Sequence, residues 1–184
     1  MPNLKAANLK TLLAALAGAT FVVAAAAADK SASQPSPARE LVGGVWASGQ
    51  VTPAQLADFE ARGFKAVIDL RPDGEAPDQP SAADMAQAAR AHGMAFAYVP
   101  VPHGDIPAAA VDKLGQSLVR VERPVVLYCR SGWRAARTWA LAEASRPGGL
   151  DADAIKAAVQ SAGQPVDHLD ESIAARIAAR SAHR

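Results

Sequence analysis

The chain of 184 residues contains a single cysteine, Cys129. One thiol cannot build an internal disulfide framework or a cysteine-rich zinc site. Aromatic residues are also scarce, at 5%, so the core has to be assembled from aliphatic side chains and alanine, which alone supplies 45 residues. Charge of one sign is lacking: 19 basic residues against 18 acidic ones leave a net +1. That gives no electrostatic case for a nucleic-acid partner. His92, His168 and His183 have no ligand spacing and are expected to be exposed, and no histidine supports Asp73 and Glu75, so neither a metal site nor a cofactor is expected. What is present, 50% hydrophobic and 20% charged residues, is the balance of a folded domain rather than a disordered chain.

The one long hydrophobic run lies at the start. Lys5 and Lys10 precede an uncharged stretch from Leu12 to Ala28, which closes on Ala26-Ala27-Ala28 just before Asp29-Lys30. A basic start, an apolar middle and a small-residue end make a secretory signal peptide over residues 1–28. Its removal predicts a periplasmic or secreted protein in an oxidising compartment. A membrane association is expected only if the segment is retained, because the run nearly reaches spanning length. There is no twin arginine and no cysteine for lipidation at the boundary. Residues 29–40, with the Ser/Pro-rich stretch SASQPSPAR, read as a linker. The folded domain is expected over residues 41–184.

From Leu41 onward, strands alternate with helices. Val45-Trp46-Ala47 reads as a strand. Thr52, Pro53 and Gln55 form the cap, first helical residue and third residue of a helix that should stop at Gly63. Residues 64–71 (FKAVIDLR) read as a buried strand, 94–101 (MAFAYVPV) as another strand and 124–128 (PVVLY) as a short, all-apolar strand. Helices are expected after Ser81, from Pro107 to Glu122, from Ala135 to Arg146, and after Asp151 and Asp167. This order predicts an α/β fold, a single domain whose central, mostly parallel sheet is flanked by helices. Sites in such folds gather beyond the carboxyl ends of the strands.

Cys129 follows the strand at 124–128 in that position, in the run Cys129-Arg130-Ser131-Gly132-Trp133-Arg134. Backbone N–H groups of the turn and of the next helix make an anion nest, and Gly132 supplies the conformation that closes it. Arg134 adds a permanently charged planar fork suited to an oxyanion. The same features favour the thiolate, the nucleophilic form of cysteine. Cys129 and Arg134 are therefore the candidate catalytic residues, and Arg130, Ser131, Gly132 and Trp133 the candidate anion-binding residues. Arg130 and Arg137 would add positive field, Trp133 would shape the mouth, and Trp139 would pack into the core. Asp69 and Arg71 leave a buried strand, with an ion pair or a site-wall role both open. Asp73 and Glu75 read as turn residues.

The cysteine loop, with Ala47-Ser48-Gly49-Gln50, VIDLRPDGE at 67–75, Tyr98-Val99-Pro100-Val101 and LDADAIKAAVQSAG at 150–163, resembles the phosphatase-like domain family also found in beta-lactamase-hydrolase-like proteins. The resemblance covers about two thirds of the chain, residues 41–165. It implies the cysteine-phosphatase fold of the dual-specificity phosphatases, in a family some of whose members are called sulfur transferases. It also implies a general acid in the PHGDIP loop, where Asp105 stands. A helix-capping role for Asp105 is equally open, and His103 could act similarly but reads first as a solvated loop residue. Two departures bear on the reaction. Tyr128 stands where ordinary cysteine phosphatases carry histidine, and four residues rather than five separate Cys129 from Arg134. The shorter spacing resembles the rhodanese-type sulfurtransferase loop, which cradles one sulfane sulfur. The first expectation is therefore sulfur transfer through a Cys129 persulfide, from a small anionic donor to a small thiol acceptor. Hydrolysis of a phosphoester through a phosphocysteine is the alternative, and a non-catalytic anion-binding module the third reading.

Overall fold

The computed structural model describes residues 37–182; the expected signal peptide, most of the expected linker and His183 lie outside the described residues. In chain order the elements are β1 (Arg39–Val42), β2 (Val45–Ser48), α1 (Leu56–Ala61), β3 (Ala66–Asp69), α2 (Ala82–Ala91), β4 (Ala95–Tyr98), α3 (Ala108–Arg120), β5 (Val125–Tyr128), α4 (Trp133–Ser145), α5 (Ala152–Ser161) and α6 (Asp170–Ala182). One sheet orders them β1-β2-β5-β3-β4. β2, β5, β3 and β4 run parallel, and β1 joins the edge antiparallel to β2. This is the expected α/β fold, a single domain with a mostly parallel sheet covered by helices.

The sheet is buried from both sides, which is why β3 and β5 carry no exposed residue and read as continuous apolar runs rather than alternating ones. Their side chains still alternate in direction. Val125, Leu127 and Cys129 pack with Ile68, Leu114, Trp139 and Ile155 on the face covered by α3 to α6. Val126 and Tyr128 pack with Val67, Leu56, Phe59 and Met85 on the face covered by α1 and α2. Alanine lets α4 lie close against the sheet: Ala135, Ala136, Ala140 and Ala144 are fully buried beside Trp139, the core tryptophan the sequence suggested.

The caps fall where the sequence placed them for α2 and α5. Ser81 Oγ accepts from the Asp84 N–H at 3.1 Å, and Asp151 Oδ1 accepts from the Ala154 N–H at 2.8 Å. Ahead of α1, the Thr52 N–H donates to Gln55 Oε1 at 2.8 Å. The far end of α4 is fixed by Arg180 of α6, which donates to the carbonyls of Glu143 and Leu150 at 3.0 and 2.7 Å. No helix among the described residues is long and apolar enough to cross a membrane.

Several boundaries differ from the sequence reading: β3 and β4 are shorter than the strands read over residues 64–71 and 94–101, and three element starts are displaced. The domain begins before Leu41, because Arg39 and Glu40 already pair with Ala47 and Trp46 in the β1–β2 ladder. Gly43 and Gly44, at φ +56° and +77°, form the two-residue turn with both central φ values positive that such a hairpin prefers. α4 begins at Trp133 rather than Ala135, because Gly132 caps it in the left-handed region and the chain is helical from the next residue. α6 begins at Asp170, after Leu169 has entered the core.

Candidate active site

Cys129 lies at the carboxyl end of the central strand β5, 1% exposed. Its sulfur accepts a hydrogen bond from the Gly132 N–H at 3.2 Å, so the loop closes on the thiol. Two backbone bonds knit the loop to the chain after β2. The Cys129 N–H donates to the Ser48 carbonyl at 3.4 Å, and the Gln50 N–H donates to the Arg130 carbonyl at 3.2 Å. Gln164, from the segment after α5, donates to the Ser131 carbonyl at 3.4 Å. Arg130 and Ser131 are exposed, and Trp133 is half-buried.

Gly132 holds this arrangement with φ +91°, and a Cβ there would sit 3.0 Å from Gln164 Nε2 and 3.3 Å from the Ser48 carbonyl. Both the left-handed conformation and the close approach need glycine. Gly132→Ala is expected to cost about 1–3 kcal/mol and to move the N–H off the sulfur. Thermal melting and turnover should fall together; an alanine variant as stable and active as the parent would contradict this.

Arg134, the second residue of α4, is 3% exposed. Its Nη1 and Nη2 donate to Glu75 Oε1 and Oε2 at 2.6 and 2.7 Å, and Nη1 also reaches the Val101 carbonyl at 2.6 Å. The fork thus grips a carboxylate of its own chain, which fixes the plane of the guanidinium. Burial works against its charge, but the Glu75 hydrogen bonds and the Cys129 side chain outweigh that, and the arginine holds its proton above the ordinary value. Glu75 also accepts from Arg71 Nε at 3.0 Å, and Arg71 Nη1 donates to Gln50 Oε1 at 2.7 Å. The Arg134 hydrogen bond is the main force holding the Glu75 carboxyl below its usual range, against burial. Glu75 is therefore a shared counter-ion rather than the turn residue the sequence suggested.

Asp105 is exposed on the loop between β4 and α3 and does not cap α3, whose N-cap is Pro107 without a side-chain bond. The loop residue that reaches the cluster is His103, with Nε2 3.7 Å from Glu75 Oε1. Arg137 stacks on the Trp133 ring at 4.2 Å, which ties both side chains to the outer face of α4 next to the loop. His92, expected to be exposed, is partly buried and pairs with Glu60 at 2.7 Å. Among the described residues no group of three or more His, Cys, Asp or Glu is placed to hold a metal ion.

Asp69, at the end of β3, is 1% exposed. Its Oδ1 accepts from the Arg71 N–H at 2.8 Å, and burial, only partly offset by that bond and by Tyr128, pushes its pKa up to about 6. An acid raised from 3.8 to about 6 on folding favours the folded state fully only below the unfolded value; the contribution is lost as pH rises through 6. The shift corresponds to about 3 kcal/mol. Asp69→Asn is expected to melt higher than the parent above pH 7, with the gain fading toward pH 4. Melting curves across that range check it, and a deficit that grows with pH would refute it.

Gln50 and Glu75 are the site residues that sequence reasoning missed. Both lie inside the stretches that carried the family resemblance, ASGQ and VIDLRPDGE, and that was the available signal.

Comparison with known proteins places this geometry among relatives. Residues 38–146 match the model of the beta-lactamase hydrolase-like protein, phosphatase-like domain. A beta-lactamase hydrolase-like protein of Xylella fastidiosa is 38% identical over 96 residues, 52% of this chain and 22% of that protein. The Agrobacterium fabrum protein of the same description is 37% identical over 97 residues, 53% and 22% of the two chains. The chain thus matches about a fifth of the length of these relatives. The crystal structure of a Neisseria meningitidis protein described as a candidate phosphatase superposes with a TM-score of 0.65 at 29% identity, over 75% of this chain and 96% of that one.

Proposed function

The chain belongs to the family of the beta-lactamase hydrolase-like protein, phosphatase-like domain, and from that premise we propose that it hydrolyses phosphate monoesters through a covalent phosphocysteine on Cys129. The observation that carries the reading is the closed loop itself. A sulfur at the carboxyl end of β5 sits 3.2 Å from the Gly132 N–H, and a guanidinium in the first turn of α4 is locked in orientation by Glu75. The Cys129 thiolate attacks phosphorus as the P–O bond to the alcohol breaks. The non-bridging oxygens face loop N–H groups and Arg134, which stabilise the charge carried in transfer. Asp105 gives its proton to the leaving oxygen. Water then attacks the phosphocysteine, freeing phosphate and the thiolate. The fold shared with the Neisseria candidate phosphatase supports this reading.

One specific observation favours a second reading, sulfur transfer. Only Arg130 to Trp133 separate Cys129 from Arg134, and Trp133 is already helical, so the open loop is three residues long. In that reaction the thiolate takes the sulfane sulfur of thiosulfate, releases sulfite, and yields the outer sulfur to a small thiol. The Lys5/Lys10 start and the Ala26–Ala28 end support a periplasmic or secreted site of action for either chemistry.

One experiment separates the two. The same sample is assayed for aryl-phosphate hydrolysis and, after thiosulfate, for a persulfide by intact mass. Hydrolysis that depends on Cys129 and drops roughly 10²-fold in Asp105→Asn is the expected result. A persulfide on Cys129 with no phosphate release, indifferent to Asp105, replaces the proposal with sulfur transfer.

A further inference from the structure

Three strand ends stand in register on one level of the sheet. Tyr128 of β5 lies opposite Asp69 of β3, and Asp69 lies opposite Tyr98 of β4. Tyr128 and Asp69 are 0% and 1% exposed, and Tyr128 is the residue immediately before Cys129. Asp69 Oδ2 and the Tyr128 hydroxyl are both buried without a partner in full hydrogen-bond geometry, although the hydroxyl lies near enough to stabilise the carboxylate. A carboxylate with one orphan oxygen inside a sheet is costly. An apolar side chain would pack there without that cost, so the sheet's stability does not account for it.

What the carboxylate does hold is the turn after β3. Its Oδ1 accepts from the Arg71 N–H at 2.8 Å, and the Leu70 N–H donates to the Tyr128 carbonyl at 2.8 Å. Arg71 then runs to the cysteine loop by two routes. Its Nε meets Glu75, which grips Arg134. Its Nη1 meets the Gln50 side chain, whose backbone N–H bonds the Arg130 carbonyl.

We propose that Asp69 is a positioning residue of the site: ionised, it holds the Arg71 turn through Oδ1 beside the Tyr128 hydroxyl, and so sets the cysteine loop and Arg134 relative to each other. The proposal rests on Cys129 being the nucleophile, but not on which substrate it attacks. Protonation of Asp69 weakens its hold on the Arg71 N–H. The groups that face it are Tyr128 on β5, Tyr98 on β4, and Arg71 and Asp73 in the loop after β3. Asp69 titrates at about pH 6, so the reactivity of Cys129 carries a step there.

The test needs no substrate. The rate of Cys129 alkylation by iodoacetamide is followed from pH 4.5 to 8.5. The parent should show a step near pH 6. Asp69→Asn should lose the step and react several-fold more slowly above pH 7. Tyr128→Phe, which removes a group that stabilises the carboxylate, should move the step to higher pH. His103→Gln, the control for the histidine that lies beside Glu75, should keep it. A step that survives Asp69→Asn, or one that Tyr128→Phe leaves in place, overturns the proposal; so does a parent with no step. A correct step pattern in a protein that neither releases phosphate nor forms a persulfide leaves Asp69 in this role and removes the proposed function instead.

Discussion

Replacing Cys129 by serine is expected to reduce turnover by on the order of 10⁴-fold or more while leaving the melting temperature close to that of the parent. The two halves of that expectation have different causes. A serine hydroxyl is un-ionised at neutral pH and cannot carry a labile sulfur, so both covalent routes lose their first step. The loop, by contrast, keeps its shape. An oxygen at this buried position accepts the Gly132 N–H as the sulfur does, and Arg134 remains locked on Glu75. The serine variant should therefore still bind a phosphate ester, and a competition assay against the parent can read that retained affinity. Residual turnover above about 1% of the parent, on a scale where removing a nucleophile ordinarily costs far more, would mean that another group attacks.

The order of strands and helices was legible because the determinants are local. Buried strands such as Val125–Tyr128 are short apolar runs between turn residues, and Ser81 and Asp151 mark helix starts by a bond three residues long. β1 was not legible in the same way. Its burial pattern leaves only Leu41 inside, and its Arg39 and Glu40 look like the tail of a polar linker. The signal that was present, Gly43-Gly44 between Leu41-Val42 and Val45-Trp46, is a hairpin signature. The start of α4 was misplaced for a related reason. Trp133 and Arg134 were assigned to the turn for their chemistry, whereas the backbone of Gly132 decides where the helix begins.

The candidate site divides along the same line. The loop from Cys129 to Arg134 is a continuous segment, and its strand-turn-helix setting could be read from spacing. The partner of Arg134 could not, because Glu75 lies 59 residues away and meets it only because the sheet places β3 beside β5. Gln50 reaches Arg71 across 21 residues in the same manner. A charged residue in a turn-rich stretch reads as solvated until the topology is known. Asp105 shows the converse: its position was inferred from a resemblance, and the loop that carries it brings His103 rather than Asp105 to Glu75.

Glu75→Gln is expected to have the second largest effect, and on stability the largest. Glu75 is the only carboxylate among the described residues that pairs with either Arg71 or Arg134, whose side chains are 7% and 4% exposed. Glutamine keeps the length and two polar atoms but not the charge, and leaves two buried guanidinium groups facing each other. Removing one partner of a buried ion pair costs about 3 kcal/mol or more, which in a domain of this size lowers the melting temperature by roughly 10 °C. Turnover should fall about 10²-fold, because a misplaced cation no longer meets the transferring group. Glu75→Asp keeps the charge and should recover part of both losses. The pH dependence follows from the direction of the shift. Glu75 is held below the ordinary glutamate range, chiefly by Arg134, so its contribution is present above that range and is lost as pH falls through the folded value. Parent and Glu75→Gln should therefore differ most near neutrality and converge in acid. A glutamine variant that melts with the parent at pH 7, or one that turns over faster, would show that Glu75 restrains Arg134 instead of aligning it.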